Sequence, residues 1–220
     1  MTSAAGEVNP KMDAPSNAPA PANPFAESTP LGLLGLAVGC AALIPIAFGV
    51  TLTPAALRTA AWYCLLFGGG CQFLAGLMAL ANKNMLGGTL FTTFAFNWVM
   101  NWAVLNGLSE GRVPDAHIVL SVDVLFLVIF AVLTYAFGFF SKLLFAFLLD
   151  IVVLFACRVL KELTHSTAFG MPIALATVVL AAIALWLAFA ILVNGAAGRV
   201  VFPVPGPLFK AATPATPPAG

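Results

Sequence analysis

Apolar residues run through this chain in long blocks, and charges appear mainly at the joints between them. No charged side chain occurs for thirty residues after Glu27, for 24 after Arg58, for 26 after Lys83, or for 36 after Glu162. The hydrocarbon core of a bilayer is about 30 Å thick, and roughly 20 residues of helix cross it. Backbone N–H and C=O groups find no water there, so blocks of this kind must be helical. They predict six spans, at about 31–52, 56–81, 86–107, 117–138, 142–163 and 171–195. Thr53-Pro54 separates the first two, since proline suits a helix start. Asn82-Lys83-Asn84 makes a short turn, 110–115 is the most polar loop, and Met171-Pro172 opens the last span. The expected fold class is all-α: a polytopic membrane protein built as a six-transmembrane-helix bundle. Six spans put both termini on one side.

Composition supports this picture. Charged residues make up 8% of the 220-residue chain and hydrophobic ones 61%, against about 25% charged in a soluble domain. A net charge of +1 without a Lys/Arg cluster argues against nucleic acid and against a lipid-headgroup patch. The expected non-protein partner is the bilayer itself. Residues 1–26 hold five prolines among Ala, Asn and Ser, with no positive segment leading into an apolar one. They read as a disordered tail rather than a signal peptide, and 210–220 reads likewise. That leaves 27–209 as one membrane domain. On the side of the termini lie Lys11, Lys83, Lys142, Arg199 and Lys210; on the other, Arg58, Arg112, Arg158 and Lys161. The small excess leans toward cytoplasmic termini.

Candidate chemistry must come from the few polar residues within the spans, because such groups are costly in a bilayer and mark pathways or helix–helix bonds. Gln72 lies deep in the second span. Asn97 and Asn101 share a face of the third, and Thr93 extends the stripe by one turn. These amides and hydroxyls could hydrogen-bond a small carboxylate or a neutral polar solute, or simply bond helix to helix. Asp150 stands roughly 12 Å into the fifth span. An ionised carboxylate there needs a partner, water or a proton, so Asp150 is a candidate proton carrier, an interhelical bond or a vestibule group. Asp123, nearer its helix end, is expected to be wet, and Arg158 and Lys161 to snorkel to the interface. Gly35 and Gly39 form a GxxxG pair, and Gly68-Gly69-Gly70 either packs a neighbour or loosens its helix. Cys40, Cys64, Cys71 and Cys157 sit in apolar runs without metal-ligand spacing. His117 and His165 stand near loops without a carboxylate cluster. There is no P-loop and no hydrolytic or redox constellation. Neither an enzyme nor a metal or other cofactor is expected.

Two segments carry a family resemblance. The first runs Phe67-Gly68-Gly69-Gly70-Cys71-Gln72-Phe73-Leu74-Ala75-Gly76-Leu77-Met78, followed by Asn84, Gly87, Thr89, Phe91-Thr92-Thr93 and Trp98. The second is Pro30-Leu31-Gly32-Leu33-Leu34-Gly35. Together they resemble the acetate/succinate transporter family, with a third echo in Asn194, Gly198-Arg199 and Pro203; the likeness spans roughly 23–204. The resemblance implies a six-helix protomer with its own pore, assembly as a homohexamer, cytoplasmic termini and residence in the plasma (inner) membrane. It also implies passage of acetate and related short carboxylates, succinate among them, by proton symport or as a channel. By position in the motifs, Leu36 stands where the family has Phe, and Phe94 where it often has Tyr; with Ile151 they form the implied hydrophobic constriction. Gln72 matches a family Gln. The Asn-Pro of the amino-terminal signature is displaced to Asn23-Pro24 or lost, Ala79 replaces a usual acidic residue, and Asp150 falls where a small polar residue is usual. A channel for small neutral solutes, such as urea or short amides, is the alternative, and a non-transporting scaffold is a third reading.

Overall fold

The computed structural model describes residues 23–210; the expected tails, 1–26 and 210–220, fall almost wholly outside them. The described residues form six long helical segments: α1 Thr29–Ala47, α2 Pro54–Ala81, α3 Met85–Ser109, α4 Ala116–Phe137, α5 Lys142–Thr164 and α6 Gly170–Ala197. The all-α class holds. The largest departure from the expected spans is at the end of α1, which stops at Ala47 rather than near 52. Gly49 turns the chain there at φ +68°, a left-handed conformation that costs glycine little. The other boundaries follow local chemistry. Thr53 Oγ1 accepts the Ala56 N–H at 3.2 Å, Asn84 Oδ1 that of Gly87 at 2.9 Å, and Asp115 Oδ1 that of Ile118 at 3.0 Å. Each satisfies a donor that the first helical turn leaves orphaned.

Helices α1, α2, α4, α5 and α6 are long and apolar enough to cross a membrane. The protein is an integral multi-pass membrane protein. Its outward surface agrees, since Leu66, Phe73, Leu74, Leu125, Val128 and Val132 all stand exposed, a belt that suits lipid and not water. Helix α3 is different. Its 25 residues are length enough, but Asn97, Asn101, Asn106 and several threonines dilute its apolar content, so it does not match the other five.

The bundle has two distinct ends. At one, Phe25 donates its N–H to Asn82 Oδ1 (3.1 Å) and Asn82 Nδ2 donates to the Phe25 carbonyl (3.0 Å). At this same end the segment after α6 folds back over the α4–α5 turn. The Lys142 N–H reaches the Gly206 carbonyl at 2.9 Å, and the Leu208 and Phe209 N–H groups share the Gly138 carbonyl. Asn194 fixes this strap by accepting from Val201 and Phe202 (2.7 and 2.9 Å) and donating to the Phe202 carbonyl (2.8 Å). Both ends of the described chain therefore lie on one face, with the 82–84 and 138–141 turns. The 48–53, 110–115 and 165–169 connections lie on the other.

Small residues set the packing. Helix α1 packs on α6 and on α2, α2 on α3, α4 on α5, and α5 on α6. A Cβ on Gly35 would overlap Cys71 and the Phe67 carbonyl, and one on Gly68 would overlap the Trp98 indole. Between these contacts α2 widens into a π-helical stretch, Cys64–Cys71. The triple glycine thus does both things its sequence suggested: it admits a neighbouring ring and it loosens the helix. Such wide turns in otherwise regular helices are uncommon and often adjoin functional sites.

Candidate functional site

Two cavities enter the bundle from its opposite ends. The one on the face away from the termini has a volume of about 160 Å³. Its walls include Asn97, Trp98 and Asn101 from α3, Arg158 from α5 and Thr177 from α6, and Phe94 and Ile151 stand at its floor. The cavity on the terminal face measures about 150 Å³ and is bounded by Thr29, Leu33, Asn84, Phe91 and Phe147 among others. The solid layer between them is thin. It runs from Phe91 to Phe94 along α3 and from Phe147 to Ile151 along α5, about one helical turn each, or roughly 4.5–6 Å. Along α1 it runs from Leu33 to Cys40, roughly 10 Å. Leu36, at the middle of that interval, is fully buried.

Aromatic rings fill this layer. Phe94 meets Phe130 edge-on at 5.2 Å between centroids and lies 6.0 Å from Trp98. Phe130, wholly buried, stacks on Phe155 at 5.5 Å. Helix α3 reaches α4 through these rings, so the interior between them is closed by side chains and not by backbone packing. Aromatic pairs of this kind are worth about 0.5–1.5 kcal/mol each beyond the area they bury.

The polar groups expected from the sequence are not all brought together. Asn97 and Asn101 do line one cavity, as their four-residue spacing requires. Thr93, one turn earlier, is half-buried and does not border that cavity. Gln72 is buried at the end of the π-helical stretch, away from the cavity wall, and its Oε1 has no hydrogen-bond partner among the described residues. Asp150 is half-buried, outside both cavity linings, and its Oδ2 has no hydrogen-bond partner among the described residues. In the amino-terminal signature Pro30, Gly32, Leu33 and Gly35 are buried, Gly32 beneath the Phe91 ring, while Leu31 faces outward.

Two expectations are overturned. Asp123 is not wet: it is 3% exposed. Arg158 does not snorkel away; its Nε donates to Asp123 Oδ2 at 2.9 Å, and its guanidinium lies 5.3 Å from the Phe155 ring centre. The signal for this pair was present in the sequence. Asp123 is seven residues after the start of α4 and Arg158 six before the end of α5, so antiparallel helices place both about two turns from the same end. A charge at equal depth on a neighbouring helix removes the need to reach the interface. Trp98 is the other residue whose role the sequence left open. It lines the cavity, caps glycines of α1 and α2, and its Nε1 donor has no partner among the described residues.

No family model matches the chain. Over 102 residues it is 33% identical to ammonia transport outward protein 2 of Saccharomyces cerevisiae, a stretch covering 45% of this chain and 33% of that one. The aligned part thus spans only a third of the yeast protein's length. Among solved structures, the bacterial acetate channel SatP superposes with a TM-score of 0.74 at 24% identity, over 82% of this chain and 99% of that one. The chain has the fold of that channel. Together the two likenesses bear out the resemblance to the acetate/succinate transporter family that residues 67–98 carry.

Proposed function

We propose that this protein passes acetate or a similar short monocarboxylate across the membrane through the interior of each protomer. The observation that carries this reading is the pair of cavities at opposite ends of the bundle, separated by one or two turns of buried ring and aliphatic side chains. On this reading α3 is a sixth crossing, polar because it faces the path. Leu36, Phe94 and Ile151, with Phe130 beside them, form the neck. Stripping water from an anion there is expensive, so a dry neck limits flux and discriminates among solutes. Asn97, Asn101 and the unpaired Trp98 Nε1 offer hydrogen bonds at its entrance, replacing part of the lost hydration. Gln72 and Thr93 stand behind this wall and act on it through packing. The SatP fold supports the assignment, and homohexameric assembly in the plasma (inner) membrane with cytoplasmic termini goes with it.

Proton symport would reduce the desolvation cost by moving a neutral acid, and Asp150 is the proposed carrier. Reconstituted in liposomes, the protein is expected to take up labelled acetate, with other short carboxylates competing. Uptake stimulated by an inward proton gradient supports symport, and gradient-independent uptake supports a channel. A second reading, passage of ammonia or another small neutral solute, is favoured by the name of the yeast relative and by the uncharged amide lining. Solute flux indifferent to carboxylate competitors would replace the first reading with this one.

A further inference from the structure

The Asp123–Arg158 pair has a geometry that neither the fold nor the neck requires. Asp123 lies behind, its side chain 4% exposed; Arg158 lies in front, its side chain 28% exposed and part of the cavity wall. The single hydrogen bond between them uses Nε. No other protein acceptor bonds the guanidinium among the described residues, and its face rests against Phe155. A guanidinium has five N–H donors in a rigid fork. With Nε tied and the ring face covered, the edge carrying the two terminal nitrogens remains for a ligand.

We propose that Arg158 is an anion-capture residue at the mouth of the neck, binding a single carboxylate by its terminal nitrogens, and that Asp123 is the positioning residue that aims it. The inference rests on the proposed function and names the group that selects anionic over neutral solutes. Asn97, Asn101 and Thr177 border the same cavity and supply further hydrogen bonds to the ligand. The cavity, at about 160 Å³, suits a solute of a few heavy atoms. Asp123 does not cancel the attraction, because an arriving carboxylate meets the guanidinium first. Glu162, one turn farther out and within electrostatic reach of Asp123, reduces long-range attraction at this mouth. Selection therefore falls to short-range, charge-assisted hydrogen bonds, the kind for which arginine's planar fork is suited.

The test separates binding from transport. Purified protein in detergent is heated with sodium acetate, with acetamide, or with sodium chloride at equal ionic strength, since a ligand that binds the folded state raises Tm by mass action. The expected result is a concentration-dependent rise with acetate that acetamide and chloride do not match. In Arg158→Gln the apparent acetate affinity should fall about tenfold or more, the loss expected for a hydrogen bond to a charged group. Arg158→Lys should recover only part of it, and Asp123→Asn should weaken acetate binding while the arginine is still present. Because Arg158→Gln leaves Asp123 buried without its cation, the double variant Asp123→Asn/Arg158→Gln provides a neutral pair that keeps the packing. Undiminished acetate stabilisation in the double variant overturns the proposal, as does equal stabilisation of the unsubstituted protein by acetamide. Liposome uptake keeps the two readings apart. Acetate binding that depends on Arg158, without acetate flux, refutes the proposed transport and leaves the capture site standing. Acetate flux with an unchanged half-saturation concentration in the double variant does the reverse.

Discussion

Replacing Phe94 with alanine tests the neck directly. The ring is 5% exposed, packs edge-on against Phe130 at 5.2 Å, and forms part of a layer only about one turn thick on α3. Its removal joins the space it filled to the 160 Å³ cavity above. One water needs only about 10–15 Å³ of room for its centre to be accommodated. If one water can then follow the carboxylate through, a charge-assisted hydrogen bond of about 1.5–3 kcal/mol survives at the narrowest point. That lowers the barrier enough to speed passage by roughly ten- to a hundredfold. Folding is weakened at the same time, since truncating a buried Phe to Ala costs about 3–5 kcal/mol. The assay is the initial rate of labelled acetate uptake into liposomes, per amount of assembled protein recovered by size exclusion. Phe94→Leu keeps most of the volume and should change the rate little. Phe73→Ala, on the lipid-facing side against Phe96, should leave it unchanged. An assembled Phe94→Ala protein with a wild-type or slower rate would refute the claim that this ring sets the barrier.

Three further perturbations follow from particular contacts. Asp150→Asn should abolish proton-gradient-stimulated uptake while leaving assembly intact; unchanged uptake in that variant ends the proton-carrier role. Gly68→Ala forces a methyl into the Trp98 indole and should cost about 1–3 kcal/mol in stability, read as a lower Tm, with slower uptake because the displaced ring enters the cavity. Wild-type Tm in that variant would mean the π-helical stretch yields more easily than its packing implies. Asn194→Ala removes three hydrogen bonds to the strap, at 2.7, 2.8 and 2.9 Å, or about 2–3 kcal/mol together. Hydrogen exchange at residues 201–209 should accelerate at least tenfold while the α3 core stays protected, and unaltered exchange there would show that Phe209 packing alone holds the strap.

Much of this architecture was legible in the residues because a bilayer leaves the backbone few choices. Charge-free blocks of 24 to 36 residues must be helices, and helix starts fall at Pro54, Asn84, Asp115 and Ser141, whose side chains or rings favour them. Spacing alone put Asn97 and Asn101 on one face, and the glycines of 68–70 marked either a close approach or a loosened helix. What the linear pattern could not supply was which helix each face meets. Thr93 belongs to the same stripe as Asn97, yet only the latter borders the cavity, because the neighbours of α3 change along its length. Asp123 and Arg158, 35 residues apart, look like two separate end-of-helix charges until α4 and α5 are set side by side. The burial of Asp123, and the place of Arg158 in the cavity wall with its Nε tied to that carboxylate, are properties of that pairing. The thickness of the proposed neck is likewise tertiary: Leu36, Phe94 and Ile151 come from three helices. Hydrophobicity drives residues out of water, but in lipid it does not tell one apolar face from another. Close packing and the pairing of buried polar groups decide which faces turn inward.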